Sequence, residues 1–471
     1  MSERSRLPAP VAALFPQVAE GVRTDDWLTR QIAAALGRVT QGPVMPTVDM
    51  PTFREELAAL DFATPRAVQE LLDWTIRQLE TGTVHMTHPR YFGLFNPAPT
   101  APAQWADRIA GAFNPQLASS GSSPVPVEIE AHVIRALARR AGMPTETVGH
   151  FTTSGSEANY TSLVCALTHV NPNFGNDGVR AFAGPVAFYT SAECHPAWTK
   201  IAHHAGVGRS AVRLVATDGC GRMEARALEM QVKADRARGI TPVLVAATAG
   251  TTGGGMIDPL HACADIAAAN GAWFHVDAAW GGAALSSDRL RGALAGIERS
   301  DSITIDAHKW FATTMGCGMF ITRHGPVLSE AFRVAADFMP STAAATDPYL
   351  NTVQWSRRFL GLRLFLSLGV AGWQGIAAHV ERAVEIVAQV KERLVAHGWR
   401  AANDSALAVL CVEPPADGPG VRDIVRRTLA SGRAWVARST FEGREVIRIC
   451  ATHGQSSLED VEELVRVLTN R

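Results

Sequence analysis

Residues 302–310 read SITIDAHKW, a short run of alternating polar and apolar residues with a lysine close behind it. The alternation from Ser302 to Asp306 predicts a half-buried β-strand. A lysine directly after such a strand either extends to water or is held in a polar site, because burying an unpaired charge is costly. Lys309 is therefore a candidate functional residue.

Strand-like runs of the same kind recur on both sides of this stretch, with helical stretches between them. The runs are PVAFYT, AVRLVAT, PVLVAAT, AWFHVDA and GMFITR, and two of the helical stretches are RMEARALEMQVKADRARG and DPLHACADIAAANG. Such alternation is typical of a largely parallel sheet covered by helices on both faces. The sequence therefore predicts an α/β protein, with ligands beyond the carboxyl ends of its strands.

Three regions of the chain differ in pattern. Residues 1–85 are mostly helical with proline-rich punctuation, which predicts an N-terminal helical arm. Residues 86–360 carry the alternating strands and helices of a large domain. Residues 361–471 begin with a long helix and predict a small C-terminal α+β domain, whose last helix should open with a capping box of Ser456 and Glu459.

The composition is that of an ordinary globular protein. Of 471 residues, 47% are hydrophobic, and 44 Lys and Arg balance 45 Asp and Glu. This balance gives no field that favours nucleic acid or anionic membranes, and no run resembles a signal peptide or a membrane span. Seven cysteines without a C-x-x-C pair disfavour a disulfide framework and a zinc site. We expect a cytoplasmic protein without metal, nucleic-acid or membrane partners.

Three stretches of the chain carry groups that suit one coenzyme. In TTSGSEAN, the residues Ser154, Gly155 and Ser156 precede a helix, whose N-terminus favours an anion. In HVDAAWGG a strand ends at Asp277, and a buried carboxylate needs a donor or a cation. Lys309 supplies an amine for an imine.

Each of these groups also has a structural interpretation. The serine could be an ordinary helix cap, the aspartate could be satisfied by backbone N–H groups, and the lysine could be exposed in a loop. Together, an anion site, a carboxylate for a ring cation and an amine for an aldehyde are the groups that hold pyridoxal phosphate (PLP). The combination therefore favours PLP as the cofactor.

In chain order, TSGSEAN, AECHPAW, ATAGTTGGGMIDP, HVDAAWGG and DAHKW resemble the motifs of the group II PLP-dependent decarboxylases. This is the family of aromatic-L-amino-acid and glutamate decarboxylases, and the resemblance covers roughly residues 85–370. It implies the type I PLP-dependent (aspartate aminotransferase-like) fold, and a homodimer with active sites at the subunit interface. The implied reaction is decarboxylation of an L-amino acid, with an aromatic one favoured, to an amine and CO2.

The resemblance implies roles for individual positions. Lys309 would bind the coenzyme aldehyde, Asp277 would pair with the pyridine nitrogen, and His195 would stack on the ring unless it is an exposed loop residue. Further coenzyme contacts would be Ser154, Gly155, Ser156, Thr251, Ala279 and His308. The substrate contacts would be Phe95, Asn96 and Ser356, the last at a position where relatives with serine favour phenolic rings.

Two positions depart from the family pattern. Asp306 occupies a place where some members have an asparagine that binds phosphate, and we expect its carboxylate to point away from that dianion. Phe338 aligns with a tyrosine that protonates the product carbon. By the resemblance, this change is associated with reaction with dioxygen, which gives an aldehyde, ammonia and peroxide. Alternatively, Tyr349 or His195 supplies the proton, or Phe338 is only a packing residue of a shortened loop.

Two other classes of function stay open. The chain could be a catalytically silent relative that serves as a binding or assembly partner. It could also be an aminotransferase with the same cofactor, although the arginine context that an aminotransferase needs is not found in the C-terminal domain.

Overall fold

The computed structural model describes residues 8–334 and 347–470. The N-terminal segment is helical, and its second and fourth helices are joined by the ion pair of Arg38 with Glu80 at 2.7 Å. Asp49 is the N-cap residue that precedes the third helix, and its side chain accepts the Thr52 N–H. The helices are α1 (Ala9–Leu14), α2 (Val18–Gln41), α3 (Met50–Ala58) and α4 (Val68–Gly82).

Seven strands between residues 148 and 322 form the larger of the two sheets in the described residues. Its strands are β1 (Val148–Thr152), β2 (Val186–Ser191), β3 (Val212–Val215), β4 (Thr241–Thr248), β5 (Trp273–Asp277), β6 (Ser302–Asp306) and β7 (Gly318–Thr322). The order is β1-β7-β6-β5-β4-β2-β3, and only the pairings of β7 with β1 and β6 are antiparallel. The predicted, largely parallel α/β architecture is thereby confirmed.

Helices cover both faces of this sheet. Successive strand residues point to opposite faces, so Phe274 packs into one core while Trp273 packs into the other. The helices are α5 (Ala101–Phe113), α6 (Pro124–Arg140), α7 (Gly155–Val170), α8 (Phe174–Asp177), α9 (Ala197–His204), α10 (Ala225–Ala237), α11 (Leu260–Ala269) and α12 (Gly325–Phe332).

Strand β6 is fully buried, so the expectation of a half-buried strand was wrong. All five residues of Ser302–Asp306 are buried, because helices cover both faces of the sheet at this point. The alternation does not mark a solvent face. Instead, Ser302 and Thr304 face polar partners inside the protein, foremost the ring of His275.

The C-terminal segment forms a second, antiparallel sheet with the order β10 (Ala437–Phe441), β11 (Arg444–Cys450), β9 (Val409–Glu413) and β8 (Arg400–Ala401). The capping box of the last helix is formed by Ser457 and Asp460, one residue later than expected, because the Ser456 hydroxyl donates to the Pro89 carbonyl oxygen instead. The elements are α13 (Gly361–Ala396), β8 (Arg400–Ala401), β9 (Val409–Glu413), α14 (Val421–Ala430), β10 (Ala437–Phe441), β11 (Arg444–Cys450) and α15 (Leu458–Thr469).

Among the helices that the structure describes, none combines the length and the apolar character needed to cross a bilayer.

Candidate active site

A cavity of about 190 Å³ opens where β4, β5 and β6 end, next to the N-terminus of α7. Parallel strands place their carboxyl ends at one edge, so residues far apart in sequence meet there. The lining residues are Phe95, Ser154, Gly155, Ser156, Asn159, His195, Thr248, Gly250, Thr252, Asp277, Ala279, Trp280, Asp306, His308 and Lys309.

Lys309 reaches this cavity from a tight turn behind β6. Its backbone N–H donates to the Asp306 carbonyl oxygen, which closes the turn. The side-chain Nζ lies 3.1 Å from Asp306 Oδ2 and 5.7 Å from the ring centre of Phe95. With 21% of its side chain exposed, the amine is sheltered but accessible from the cavity.

Asp306 lines the cavity and does not point away from it, so that expectation was wrong. Its Oδ2 pairs with Lys309, and a Cβ on Gly155 would lie 2.8 Å from the same oxygen. The carboxylate is attracted by the lysine ammonium, and only a glycine in the first turn of α7 leaves room for it. The expected anion site thus already has a carboxylate at its side.

Asp277 is 5% exposed and ends β5 at the cavity. Its Oδ2 accepts a hydrogen bond from Asn159 Nδ2 at 2.8 Å, and its Oδ1 accepts the Ala279 N–H at 3.1 Å. Two donors from different elements therefore fix the plane of the carboxylate. Lone pairs remain on both oxygens for a further donor in the cavity.

His195 faces the cavity from the loop after β2. Its Nδ1 accepts the Ala197 N–H at 3.1 Å, which leaves the proton of the neutral ring on Nε2. Part of the ring is exposed at the open cavity, yet the surrounding protein atoms desolvate it enough to lower its pKa, and the charge of Lys309 acts in the same direction. The ring is therefore mostly neutral at pH 7.

The N-terminus of α7 has the arrangement expected of an anion site. Ser154 is the N-cap residue, but its side chain makes no capping hydrogen bond. The Thr153 N–H and hydroxyl instead bind Glu157 Oε2, at 2.8 and 2.6 Å. The hydroxyl of Ser154 is thus not used as an ordinary cap, and it lines the cavity together with Gly155 and Ser156.

Of the other expected contacts, His308 and Ala279 line the cavity, whereas three residues do not. Thr251 is buried behind the wall and its Oγ1 accepts the Met256 N–H at 3.0 Å. Asn96 Nδ2 lies 3.3 Å from Met315 Sδ. Ser356 is exposed on the protomer and accepts from Gln116 Nε2 at 3.3 Å.

Sequence reasoning missed several residues that belong to the cavity wall. Trp280 stacks on Phe95 with ring centres 4.1 Å apart, and on Trp310 at 4.7 Å. Thr248 ends β4 and its buried hydroxyl has no partner among the described residues. Asn159 lies in the first turns of α7. The available signal was position, since Thr248 ends a parallel strand and Trp280 follows one.

These groups are the ones that binding of PLP requires. An amine, a carboxylate, an imidazole and a helix N-terminus face one cavity, and the buried Thr248 hydroxyl is an additional unused polar group there. Together they suit an aldehyde, a ring nitrogen, a planar ring and a phosphate.

Comparison with known proteins leads to the same family. A profile described as the pyridoxal-dependent decarboxylase conserved domain matches residues 55–402. Tryptophan decarboxylase 1 of Oryza sativa subsp. japonica is 30% identical over 444 residues, which are 86% of this chain and 84% of the rice protein. Cysteine sulfinic acid decarboxylase of Mus musculus is 33% identical over 317 residues, which are 66% of this chain and 64% of the mouse protein. L-2,4-diaminobutyrate decarboxylase of Rhizobium meliloti (strain 1021) is 31% identical over 388 residues, 80% and 77% of the two chains.

Solved structures agree in fold. Oryza sativa TDC with PLP and tryptamine superposes with a TM-score of 0.88 at 26% identity, covering 97% of this chain and 99% of the rice chain. Mouse CSAD in apo form gives a TM-score of 0.87 at 25% identity, over 95% and 98% of the chains. The expected type I fold, PLP cofactor and group II resemblance are thereby confirmed. The chain accordingly belongs to the pyridoxal-dependent decarboxylase family, as a PLP-dependent carboxy-lyase that acts on an amino acid.

Proposed function

We propose that this protein decarboxylates an L-amino acid, with an aromatic one favoured, to the amine and CO2. The observation that carries the proposal is that Lys309, Asp277 and His195 face one cavity. In this assignment the three bind the coenzyme aldehyde, the pyridine nitrogen and the ring face, respectively. The phosphate is assigned to Ser154, Gly155 and Ser156, and the remaining coenzyme contacts to Ala279 and His308 in the cavity and to Thr251 in the wall behind it.

The coenzyme, when bound, would supply an electron-accepting ring for the electron pair of the Cα–carboxylate bond. Asp277 would support this by accepting a hydrogen bond from the protonated ring nitrogen, in the orientation that Asn159 and the Ala279 N–H give its carboxylate. Lys309 would hold the coenzyme through its aldehyde carbon, and its amine is the group available there for that bond.

The neutral His195 acts as a hydrogen-bond donor and not as an acid. Its Nε2 carries the single ring proton because Nδ1 is engaged by the Ala197 N–H. A neutral imidazole gives up a proton poorly, so His195 can orient a substrate carboxylate but is a weak candidate for protonating the product carbon.

Support for an aromatic substrate comes from the wall beside the reacting amine. Phe95 and Trp280 stack there, and the Lys309 Nζ lies 5.7 Å from the Phe95 ring. An aromatic side chain gains both burial and ring contacts against such a wall. Asn96 and Ser356 stay proposed substrate contacts, with Ser356 favouring a phenolic ring. The rice relative is named for tryptophan, whereas the mouse and Rhizobium relatives are named for non-aromatic amino acids.

A second candidate product is the aldehyde. Phe338, which lies outside the described residues, aligns with the family tyrosine that protonates the product carbon. The four tyrosines of the chain are all described, none lines the cavity of its own protomer, and Tyr349 packs against Trp355 instead. Without a proton donor, the amino acid, O2 and water would yield the aldehyde, CO2, ammonia and hydrogen peroxide.

One experiment separates these products. The holoenzyme is incubated in air and without oxygen with phenylalanine, tyrosine, tryptophan, cysteine sulfinate and 2,4-diaminobutyrate, while CO2, amine, aldehyde and peroxide are measured. Amine under both conditions, most from an aromatic substrate, supports the first proposal. Aldehyde with peroxide in air, reverting to amine in Phe338→Tyr, supports the second.

The same preparation tests whether the chain is catalytically silent. Borohydride reduction should bleach the coenzyme band and leave the coenzyme attached to Lys309. A colourless protein after PLP addition, with no CO2 from any amino acid, would support the silent binding relative instead.

The proposal extends to a cytoplasmic homodimer with interfacial active sites. The N-terminal helices and α5 expose large apolar side chains on the single protomer, among them Leu14, Phe15, Val18 and Phe113. Such side chains favour burial against a second copy. All seven cysteines are described and free, in keeping with a reducing compartment.

A further inference from the structure

We propose that four buried side chains, Trp273, Ser302, His275 and Asn159, form a one-way hydrogen-bond chain that positions Asp277. The inference rests on the proposed role of Asp277 at the coenzyme ring. It assigns a function to polar residues of β5, β6 and α7, of which Asn159 lines the cavity and the other three lie behind it.

The series of hydrogen bonds is continuous from the Trp273 indole to the Asp277 carboxylate. Trp273 Nε1 donates to Ser302 Oγ at 2.8 Å, and Ser302 Oγ lies 2.8 Å from His275 Nδ1. His275 Nε2 lies 3.0 Å from Asn159 Oδ1, and Asn159 Nδ2 donates to Asp277 Oδ2 at 2.8 Å. All five side chains are buried, with at most 5% of each residue exposed.

The two ends fix the direction of every bond. A carboxylate only accepts, so Asn159 turns its NH2 group to Asp277 and its carbonyl oxygen to His275. His275 must then donate from Nε2. Burial lowers the pKa of His275 to about 4, so the ring carries one proton and its Nδ1 is an acceptor.

The remaining link follows from the other end. The Ser302 hydroxyl donates to His275 Nδ1, while its oxygen accepts from Trp273, which can only donate. Thr304 Oγ1, 3.3 Å from His275 Nε2, is a second acceptor for the same ring proton. Reversing any one bond would place two acceptors or two donors face to face.

A structural role alone does not account for this arrangement. Central buried strands are stable with apolar side chains, whereas buried polar groups contribute little net stability even when satisfied. Here every polar group points its donor toward Asp277, and hydrogen bonds in series polarise one another. The four residues are thus positioning residues, and their influence on Asp277 should decrease from Asn159 to Trp273.

Ser302→Ala is the main test, with Ser300→Ala as its matched control. Ser300 is also fully buried, but its hydroxyl donates to the Ile297 carbonyl oxygen and takes no part in the proposed series of hydrogen bonds. The readouts are the PLP Kd of the apo chain, kcat and KM of the holoenzyme, and the melting temperature. We expect Ser302→Ala to weaken PLP binding by about three- to tenfold and to lower kcat more than it changes KM, as the loss of one hydrogen bond implies. Ser300→Ala should lower the melting temperature to a similar extent and leave Kd and kcat within about twofold, the scale of an indirect effect.

A pair of substitutions at His275 provides a rescue test. Gln carries an amide that can donate to Asn159 Oδ1, whereas Leu has no donor. His275→Gln should therefore retain more coenzyme affinity than His275→Leu. Equal losses in the two variants, or equal Kd values for Ser302→Ala and Ser300→Ala, would overturn the inference.

Neutron diffraction from crystals of the unmodified holoenzyme tests the bond directions without any variant. A proton on His275 Nε2 and none on Nδ1 would support the proposed hydrogen-bond directions, and the opposite tautomer would contradict them. Asp277→Asn separates this inference from the proposed function. If Asp277→Asn leaves coenzyme affinity and activity unchanged, the proposed role of Asp277 fails. If it impairs both while the Ser302 and His275 variants behave as the wild type, the hydrogen-bond chain alone is rejected.

Discussion

The Lys309 ammonium and the Asp306 carboxylate form an ion pair at 3.1 Å inside the cavity. Imine formation needs the neutral amine, so this contact has to be broken before Lys309 can react with an aldehyde. The carboxylate also lies against Gly155, where the phosphate is proposed to bind. A single carboxylate therefore opposes two parts of coenzyme loading.

Asp306→Asn tests that consequence because it removes one charge with little change in size. We expect the apo chain to bind PLP about three- to tenfold more tightly, since a like charge near the phosphate is removed. Imine formation should also become faster. Absorbance titration gives the Kd and stopped-flow absorbance gives the rate. Pyridoxal, which lacks the phosphate, is the matched ligand, and its Kd should change less. Weaker PLP binding with unchanged pyridoxal binding would contradict the prediction.

His150 in β1 predicts part of the pH dependence of stability. The residue is 5% exposed, and neither ring nitrogen has a partner among the described residues. Burial, and then the nearby Arg357 guanidinium, lower the pKa of His150 to about 3. Below pH 6.5 the unfolded chain binds a proton at this histidine that the folded chain does not, so the free energy of unfolding falls as the pH falls.

His150→Phe should remove this contribution. At pH 5 the proton costs the wild type about 2 kcal/mol for an unfolded pKa near 6.5. The change in the free energy of unfolding caused by His150→Phe should therefore be more favourable at pH 5 than at pH 8 by about that amount. At pH 8 the histidine is neutral in both the folded and the unfolded chain. Urea unfolding at both pH values measures the difference. An equal effect of His150→Phe at pH 5 and pH 8 would show that the ring does not remain neutral in the folded chain.

The alternating pattern predicted strands β2 to β7 because each is a short apolar run flanked by turns or helices. Strand β1 (VGHFT) and the two-residue β8 carry no comparable run and were missed. For β6 the pattern predicted the strand but not its environment, since a polar residue can face a buried partner as well as water. The domain boundaries at residues 85 and 360 stay predictions.

The candidate site was predictable where a functional group follows directly from a strand end or a helix start, as for Lys309, Asp277 and Gly155. The contacts of Thr251, Asn96 and Ser356 depend on loop conformation, which pattern does not determine. Asn159 and His275 were missed for another reason. A polar residue within an apolar helix or strand has meaning only once its partner on another element is known.

The kink in α13 leads to a prediction about glycine. Gly372 interrupts the helix with φ 62° and ψ 176°, and a Cβ at this position would contact nothing within 4 Å. Any other residue would therefore be disfavoured here by this backbone conformation and not by a steric clash. Gly372→Ala should lower the free energy of unfolding by about 1–3 kcal/mol, since this backbone region is almost exclusive to glycine.

Gly369 provides the matched control in the same helix. It also has open space around the position of a Cβ, but its backbone is helical. Gly369→Ala should raise the free energy of unfolding by about 0.5–1 kcal/mol. Denaturant unfolding of the two variants gives both values, and a stabilising effect of Gly372→Ala would mean that the kink is not required.

The small C-terminal sheet helps to build the cavity of the large sheet. The Phe92 N–H donates to the Trp435 carbonyl oxygen, and the Cys450 N–H donates to the Phe92 carbonyl oxygen. Arg448 of β11 lies over the Phe95 ring, 4.3 Å from its centre. The segment around Phe92 is thereby held against the small sheet and carries Phe95 to the cavity, so the substrate wall depends on both sheets.

Assembly is the last level, and α5 provides its test. Trp105, Ile109 and Phe113 recur at every fourth position and are 54, 45 and 83% exposed, so they form one apolar stripe along the helix. Three large apolar side chains on one stripe favour an interface, whereas a single one such as Met230 on α10, 62% exposed, is ordinary for a surface.

Ile109→Glu should raise the dimer Kd by at least about tenfold, since a charge would be buried at the contact. Met230→Glu is the control and should leave it unchanged. Sedimentation velocity over a dilution series measures both, and specific activity should fall with dilution in Ile109→Glu alone if the active sites need both subunits. A wild-type protein that sediments as a monomer at all concentrations, or an Ile109→Glu variant as dimeric as Met230→Glu, would reject the proposed interface.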